Sequence, residues 1–497
     1  MRNQPTRPRS SLPSLRLLQE RPHERQSADE HYGSQGGSTV HRVEAPLIGN
    51  GRLDTDADEA RPPAFTDEAL ALRFADKHAS NLRYVDVWGR WLTWDGIRWQ
   101  FDDTLAAYDL VRETCRIASA ECNRENVAAA LASAKTVAAV ERLARSDRRL
   151  AATVDQWDVD PWLLNTPGGI VDLRSGKKFA HRAIAYMTKI TAVAPQEGPT
   201  TVWEAFLRRV TGGDDKILAF LRRMAGYSLT GSTKVHALFF MYGAGANGKS
   251  TFINALTGCL GEYHRTAPIE AFIASAQDRH PTDLAGLRGA RLVTAVETEE
   301  GRRWNESKIK TLTGGDKIAA RFMRQDFFEF VPQFKLLFAG NHKPGLQSVD
   351  EAIRRRIHLI PFTVTIPPAE RDEALGECLR AEGPGILAWA IAGCLEWQEH
   401  GLAPPEAVTA ATVSYLEAED AIAAWIDERC QRRSDAWESS SMLFASWKDW
   451  ADKAGEPAGS MKRFVQCLEN RGFKWRRQAT ARGFDGLALL PSAEGDR

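Results

Sequence analysis

The stretch that decides the fold is Ala237–Thr251, ALFFMYGAGANGKST. Its first six residues form an apolar run without alternation, which predicts a strand buried on both faces. The next eight follow the pattern G-x-x-x-x-G-K-[ST], and a helix is predicted over Thr251–Cys259. A strand, a glycine-rich loop, a Lys-Ser pair and a helix in this order predict a site that binds a nucleoside triphosphate. The plainer alternative is a glycine-rich loop that only joins a strand to a helix.

The loop residues have distinct physical tasks in this prediction. Glycines let backbone N–H groups curl around phosphate oxygens, and the positive end of the following helix points at them. Lys249 would reach the β- and γ-phosphates, and the Ser250 hydroxyl would complete the coordination shell of Mg²⁺. The predicted nucleotide-binding residues are Gly243, Ala244, Gly245, Ala246, Asn247, Gly248, Lys249, Ser250 and Thr251.

Two more apolar runs predict strands that end in residues suited to this chemistry. Residues 290–296 form the first, and Glu297 follows it directly, where a carboxylate can hold Mg²⁺ or polarise the attacking water. Glu299 is the second choice, and a solvated strand end is the plain alternative. Residues 335–340 form the other strand, which ends at Asn341, an amide suited to sensing the γ-phosphate or positioning water.

Basic residues surround this predicted core. A hairpin is predicted over Ile318–Val331, with Arg324 at its tip. Arg354, Arg355 and Arg356 precede another predicted strand. They are either a solvated face or candidates for an arginine finger, which supplies positive charge to a phosphoryl group bound by a neighbouring subunit.

Composition sets broad limits on the protein class. The 497 residues suffice for two to four domains, and 43% hydrophobic with 26% charged residues are ordinary for a soluble globular protein. The formal net charge is zero, so contact with nucleic acid would depend on local basic patches. Seven scattered cysteines without a C-x-x-C pair indicate a reducing, cytoplasmic setting, and no run of 18 apolar residues predicts a membrane span.

The segments before the glycine-rich loop predict a mixed domain. Residues 1–62 lack periodicity and predict a disordered arm. Helices are predicted over Asp67–His78, Thr104–Arg149 and Trp203–Leu229, a tryptophan-rich hairpin turns at Asp95-Gly96, and two short strands lie between residues 161 and 177. The hairpin tryptophans could stack on bases, but we expect them to supply core area.

The end of the chain predicts a separate module. Helices are predicted over Asp420–Cys430, Ser440–Ala454 and Ser460–Arg471, followed by a basic hairpin. Three helices and a two-stranded wing are typical of a winged helix that binds DNA, and a small helical interaction module is the alternative. The residues predicted to face phosphates on the wing are Lys474, Arg476 and Arg477.

The order of these motifs resembles a known family. GAGANGKST, HPTDLAGLRGARLVTAVETEEG, WNESKIKTLTGGD, FKLLFAGNHKP and AIRRRIHLIPF follow one another as in the helicase part of phage and plasmid primase-helicases, within superfamily 3. RFADKHASNLRYV, WLTWDGIRW, LLNTPGGIVDLRSG and FLRRMAGYSLTG resemble the associated domain that precedes this ATPase. The resemblance spans about residues 67–365.

The resemblance implies an α/β fold with an AAA+-type P-loop ATPase core, which hydrolyses ATP with Mg²⁺ in a ring, usually a hexamer. Such rings move along single-stranded DNA with 3′→5′ polarity. By position, Lys249 and Ser250 bind phosphate and Mg²⁺, Glu297 is the Walker B acid and Asn341 is sensor 1. Arg355 is the expected finger. Thr298 follows Glu297 where several members have a second acid, so the share of Glu299 stays open.

The resemblance also implies a DNA path through the ring. The hairpin Ile318–Val331 would line the pore, where Arg321 and Arg324 would contact phosphates. Lys308 and Lys310 would support them from the preceding helix. Phosphate contacts need only charge and reach, so tracking along DNA would be independent of sequence.

The expected domains are the arm 1–62, an α+β helicase-associated domain 63–230, the ATPase core 231–366, a helical lid or connector 367–418 and a winged-helix-like domain 419–497. Many relatives carry a primase domain before the helicase. Because the arm is too short for one, we expect no primer synthesis by this chain alone, and a separate primase is a candidate partner. The alternatives to a helicase are a non-unwinding P-loop switch, a DNA-packaging motor and an origin-binding regulator with a degenerate ATPase.

Overall fold

The computed structural model describes residues 62–275, 282–296, 302–322, 326–346, 349–456, 458–478 and 481–491. The chain divides into two units, residues 1–60 and 61–497, and all described residues lie in the second. The predicted arm, apart from residue 62, therefore lies outside the described residues. Among the described helices, none is both long and apolar enough to cross a membrane.

The first described region combines helices with two small antiparallel sheets, of strand order β1-β2-β3 and β4-β5-β6. Its elements are α1 (Asp67–His78), β1 (Leu82–Val85), β2 (Arg90–Trp94), β3 (Trp99–Phe101), α2 (Ala106–Glu121), α3 (Glu125–Leu131), α4 (Ala134–Ala144), β4 (Leu163–Thr166), β5 (Gly169–Asp172) and β6 (Lys177–Phe179). Helix α1 has the predicted bounds, and the Thr66 hydroxyl caps it by accepting the N–H of Ala69.

The tryptophans of the hairpin β2–β3 include two core residues. Trp91 and Trp99 are buried, and each indole N–H has a partner: Glu141 Oε1 at 2.7 Å for Trp91 and Ala183 O at 2.8 Å for Trp99. Buried indoles usually need such an acceptor. For these two residues the expectation of packing is confirmed.

The region predicted as one helix over Trp203–Leu229 consists of two, α5 (Thr201–Val210) and α6 (Asp215–Leu229). The continuous helix is wrong because Gly212 and Gly213 between them have positive φ, which ends a right-handed helix. The Asp214 carboxylate then starts α6 by accepting N–H groups of its first turn. Two strands were predicted between residues 161 and 177, and three short ones form, because Lys177–Phe179 pairs with β5.

The next region contains a five-stranded parallel sheet of strand order β13-β7-β12-β9-β8, which confirms an α/β architecture. Its elements are β7 (Leu238–Tyr242), α7 (Lys249–Leu260), β8 (His264–Thr266), α8 (Thr282–Ala285), β9 (Leu292–Val296), α9 (Glu306–Gly314), β10 (Ile318–Ala320), β11 (Phe328–Phe330), β12 (Lys335–Gly340), α10 (Glu351–Arg354) and β13 (Ile357–Pro361).

The sheet is buried on both faces, as the unbroken apolar run of β7 predicts. Phe239 and Met241 belong to one hydrophobic cluster, whereas Leu238 and Phe240 belong to a second one. Because successive strand residues point to opposite faces, the two clusters cover opposite sides of the sheet.

Two buried basic side chains join the amino edge of this sheet to the preceding region. Arg291, just before β9, donates to Leu229 O at 2.8 Å and to Leu163 O at 2.6 Å. Lys335, the first residue of β12, donates to Thr230 O, and its burial holds the pKa of its amine well below the usual range. Backbone carbonyl oxygens thus replace the water that both side chains lose on burial. The sheet therefore shares its core and its polar contacts with residues 161–232.

The last region begins with helices that cover the sheet and ends in a small α+β module whose sheet has the order β14-β16-β15. Its elements are α11 (Leu375–Ala381), α12 (Gly383–His400), α13 (Glu406–Ala418), α14 (Ala421–Arg429), β14 (Cys430–Ser439), α15 (Ser440–Ala454), α16 (Met461–Asn470), β15 (Lys474–Gln478) and β16 (Ala481–Leu489). Helix α15 has the predicted bounds, and strand β14 was not predicted.

Helices α6 and α12 approach each other closely through glycine. A Cβ atom on Gly226 would lie 2.0 Å from the backbone nitrogen of Cys394, and one on Gly393 would lie 2.1 Å from Arg222 O. Each helix therefore needs a residue without a side chain at the crossing.

Candidate nucleotide site and nucleic-acid interfaces

The glycine-rich loop lies at the carboxyl edge of the central sheet, where it joins the end of β7 to the start of α7. Gly243 and Gly248 have φ of 149° and 86°, and a Cβ on Gly243 would lie 2.1 Å from Phe362 O. Residues 244–246 are exposed. No side chain caps α7 at Gly248, so the N–H groups of its first turn point out of the helix without a side-chain acceptor. Such a loop and helix end form a concave, positively polarised surface for an anion.

Lys249 is buried and lies at the centre of this site. Its Nζ donates to Gly243 O at 2.6 Å, to Asn247 Oδ1 at 3.1 Å and to Asn341 Oδ1 at 3.3 Å. Burial lowers the pKa of the amine. Within the described residues no carboxylate lies at ion-pair distance from it. Among the described residues, neutral oxygens therefore hold the amine, and its charge is available to a phosphate bound in the loop.

The loop itself is fixed by contacts to the chain that follows β13. The Asn247 side chain donates to Phe362 O at 2.9 Å, and the N–H of Ile366 donates to Ala246 O at 2.8 Å. The contact between Asn247 and Phe362 could not be read from the sequence, because the two residues are 115 positions apart.

Asn341 reaches Lys249 because β12 lies beside β7 and both strands run in the same direction. The structure thus brings together two predicted site residues that are 92 positions apart. Glu297 and Glu299 lie outside the described residues. The described part of β9 ends at Val296, and β9 is the other neighbour of β12.

The hydroxyl residues of α7 fit the predicted use of Mg²⁺. Ser250 is exposed on the first turn, beside the loop, and Thr251 is half-buried. Mg²⁺ keeps several waters and is usually held by one or two protein oxygens together with substrate phosphates. The exposed Ser250 hydroxyl beside the glycine-rich loop is suited to that use.

The three adjacent arginines have different environments. Arg356 is buried, and its guanidinium donates to Thr313 Oγ1 at 3.0 Å. Arg354 forms an ion pair with Asp420 at 3.5 Å, whereas Arg355 is exposed. All three precede β13 at the amino edge of the sheet. The loop lies at the opposite edge, beyond five strand residues or about 16 Å, so Arg355 does not reach the Lys249 site of its own chain.

The predicted hairpin over Ile318–Val331 forms with shorter strands, β10 and β11, which pair antiparallel. Arg324 lies outside the described residues. The guanidinium of Arg321 lies 4.8 Å from the ring centre of Phe327, which is 61% exposed.

The predicted supporting lysines lie on α9. Lys310 forms an ion pair with Asp350, and the backbone N–H of Lys308 donates to the capping Asn305 side chain at 3.0 Å. Sequence reasoning missed Asp350 and Asp420, which hold basic residues of this region. Neither acid stands in a motif, so only the fold identifies them.

The basic strand β15 is exposed along its length. Lys474 and Arg477 are exposed, and Arg476 forms an ion pair with Asp485 at 3.0 Å. Trp475 is 45% exposed, and Arg482 lies 5.8 Å from its ring centre. Cations and an exposed aromatic residue thus share this strand.

Two stretches of the chain match known families. Residues 71–212 match the family described as "D5 N terminal like", and residues 241–356 match a family of unknown function, DUF5906. "Putative helicase 022R" of Frog virus 3 (isolate Goorha) is 26% identical over 301 residues, which cover 55% of this chain and 30% of that protein. "Putative helicase L207/L206" of Acanthamoeba polyphaga mimivirus is 24% identical over 319 residues, which cover 59% and 33%.

Residues 71–212 are thus similar to a D5 N terminal like region, and the chain is similar to proteins named "Putative helicase" in two viruses. The matched region spans about a third of the length of these curated relatives. Among solved structures, the apo structure of the NrS-1 C-terminal region (305–718) is similar, with a TM-score of 0.49 and 9% identity over 85% of this chain and 99% of that one.

Proposed function

We propose that this chain is the motor part of an ATP-dependent DNA helicase, which acts in the replication of a phage, plasmid or integrated mobile element. The observation that carries the proposal is the contact of Lys249 with Asn341 at the carboxyl edge of the parallel sheet. Counted along the chain, the strands of that sheet have the order 5-1-4-3-2, which supports an AAA+-type P-loop core. The D5 N terminal like match and the helicase names of the viral relatives support the same conclusion.

In this proposal the chain binds ATP with Mg²⁺, and the ion neutralises phosphate charge when it is bound. The loop amides from Gly243 to Gly248 and the Lys249 amine hold the phosphates, and Ser250 offers its hydroxyl to the ion. Glu297 activates the attacking water and Asn341 positions it.

The exposed position of Arg355, away from the loop of its own chain, supports a ring in which the finger acts on the neighbouring subunit. We propose a ring that moves 3′→5′ along single-stranded DNA. In the primase-helicases that the sequence resembles, such a ring is usually a hexamer. A closed ring gives every ATP site a finger, because each head-to-tail interface repeats the same two surfaces.

The basic elements supply the DNA contacts of the proposal. Arg321 and Arg324 on the hairpin would touch phosphates in the pore, with Lys308 beside them. Lys310 would contribute charge through its position, since its amine is already paired with Asp350. At the other end of the chain, α14, β14, α15, α16, β15 and β16 follow one another in the order of a winged helix. Lys474, Arg476 and Arg477 would contact phosphates on its wing.

Replacement of Lys249 tests the proposal. Lys249→Ala removes the buried amine, so we expect ATP hydrolysis and strand displacement on a forked duplex to fall to background. The matched control is Lys216→Ala, an exposed lysine in the first turn of α6, which should retain both activities. ATPase activity in the Lys249→Ala protein would contradict the assignment of the site.

The same assay separates the proposal from its alternative. A P-loop switch or DNA-packaging motor would hydrolyse ATP with the unchanged chain yet leave the forked duplex intact. Strand displacement that requires ATP and a 3′ single-stranded tail supports the helicase.

A further inference from the structure

Arg355 directly follows the end of helix α10, and ionic and polar contacts hold this helix at both of its ends. At its start, Asp350 accepts the N–H of Ile353 at 2.9 Å and pairs with Lys310 of α9. After its end, the buried Arg356 donates to Thr313 of α9. Both contacts tie the helix to the ATPase core.

The remaining contact ties α10 to the C-terminal module. Arg354 pairs with Asp420 at 3.5 Å, and the side chain of Asp420 is only 9% exposed. The same carboxylate accepts from Arg471, which caps the end of α16, and from the N–H of Ala423 in the first turn of α14. One buried acid thus connects the residue next to Arg355 with two helices of the module.

The surface around Asp420 is not a close-packed core. A cavity of about 100 Å³ lies beside it, between Leu346 and Val349 of the ATPase core and Trp447 and Phe464 of the module. A second ion pair, Arg303 with Glu456 at 3.0 Å, crosses the same boundary without touching α10. Polar links around a void can be rearranged at less cost than interlocked apolar side chains.

We propose that Asp420 is a positioning residue for Arg355, and that it transmits the binding of DNA at the C-terminal module to the ATP site of the neighbouring subunit. DNA seated on α16 and the wing would shift Arg471 and Asp420. Arg354 would follow Asp420, its only ion-pair partner among the described residues, and the adjacent Arg355 would move with it. This inference rests on the proposed function of Arg355.

The test compares two single-atom changes at the same boundary, Asp420→Asn and Glu456→Gln. Asparagine is as good a helix cap as aspartate, so Asp420→Asn keeps the start of α14 and removes only the charge. We expect the kcat of ATP hydrolysis in the presence of single-stranded DNA to fall roughly 3- to 10-fold, which lies within the range of coupling that single residues carry between sites. KM for ATP and Kd for a single-stranded oligonucleotide should stay unchanged, because neither ligand touches Asp420.

Glu456→Gln controls for a general loosening of the module. It breaks the other ion pair of the boundary and should leave kcat unchanged, since Arg303 does not contact α10. Equal losses of kcat in both variants, or an unchanged kcat in Asp420→Asn, would overturn the inference. Arg355→Ala separates this failure from failure of the proposed function: if it hydrolyses ATP like the unchanged chain while Lys249→Ala is inactive, the finger assignment itself is wrong.

Discussion

His358 on β13 is a histidine in an aromatic environment. Its ring stacks on Phe239 with centres 5.5 Å apart and lies 6.2 Å from Phe220. Its Nε2 is buried and finds no hydrogen-bond partner among the described residues. Burial lowers the pKa of the ring to about 4, because the charged form would lose its hydration.

This histidine predicts a loss of stability in mild acid. The unfolded chain retains a pKa of about 6.5 for this ring, so it binds a proton below that pH while the folded chain does not. The stabilising contribution is therefore complete above pH 6.5 and is lost as the pH falls towards 4. At pH 5 the loss amounts to about 2 kcal/mol for His358.

Urea unfolding at pH 7.5 and pH 5 measures this loss. His358→Phe keeps an aromatic ring between Phe220 and Phe239 and removes the proton site. Its free energy of unfolding should fall by about 2 kcal/mol less between the two pH values than that of the unchanged chain. Identical pH dependence of the two proteins would exclude a buried neutral histidine.

A site residue could be predicted from the sequence where a motif fixes its position. It could not be predicted where contacts with distant parts of the chain decide the orientation of its side chain. The glycine-rich loop fixes Lys249, and an apolar run fixes the position of Asn341 at a strand end. The three arginines look alike in sequence. Arg356 turns inward because Thr313, 43 positions earlier, lies beneath it, and no local pattern indicates that contact.

At the scale of elements, the crossing of α6 and α12 gives a second prediction. Gly393→Ala places a methyl group 2.1 Å from Arg222 O, so the helices must move apart. Overpacking of this kind typically costs about 1–3 kcal/mol, and backbone contact leaves little room for relief. Thermal unfolding should show a lower Tm.

Gly258→Ala is the matched control, because Gly258 is a helical glycine of α7 and a Cβ added there would meet no atom within 4 Å. Alanine there should raise the stability by up to about 1 kcal/mol through helix propensity. An unchanged Tm for Gly393→Ala would show that the two helices are not in backbone contact.

The elements that could be predicted are those whose own residues supply the signal. Helix α15 has Ser439 as its cap and a periodic apolar face, and its bounds follow from these. Strand β14, CQRRSDAWES, is charged and has an irregular register between Arg432 and Trp437. It forms because β16 pairs with both of its ends, and the sequence of the segment itself does not contain that information.

For the whole molecule, the position of Arg355 predicts that ATP hydrolysis is shared between subunits. Lys249→Ala and Arg355→Ala should each be inactive alone. The two variants can be co-expressed in equal amounts to give mixed rings. Half of the subunits then carry an intact loop and the other half an intact Arg355, so about one quarter of the interfaces join the two. ATPase activity should recover to about that fraction.

The mixed rings could instead be no more active than either single variant. That result would show that Lys249 and Arg355 do not form one ATP site across the interface between two subunits. A mixture of Lys249→Ala with unchanged chain controls for subunit exchange, since its activity should fall in proportion to the inactive loops.

The buried side chains of Arg291 and Lys335 determine which fragments of this protein would retain their contacts. The motifs suggest a cut before residue 231, which would retain every strand of the central sheet. Such a fragment would lose the carbonyl oxygens of Leu163, Leu229 and Thr230, which hold the two side chains, and the apolar residues before position 231 that share the core of the sheet. We therefore expect a fragment that begins at residue 231 not to fold on its own, and a fragment that includes residues 161–232 to retain the contacts of the sheet.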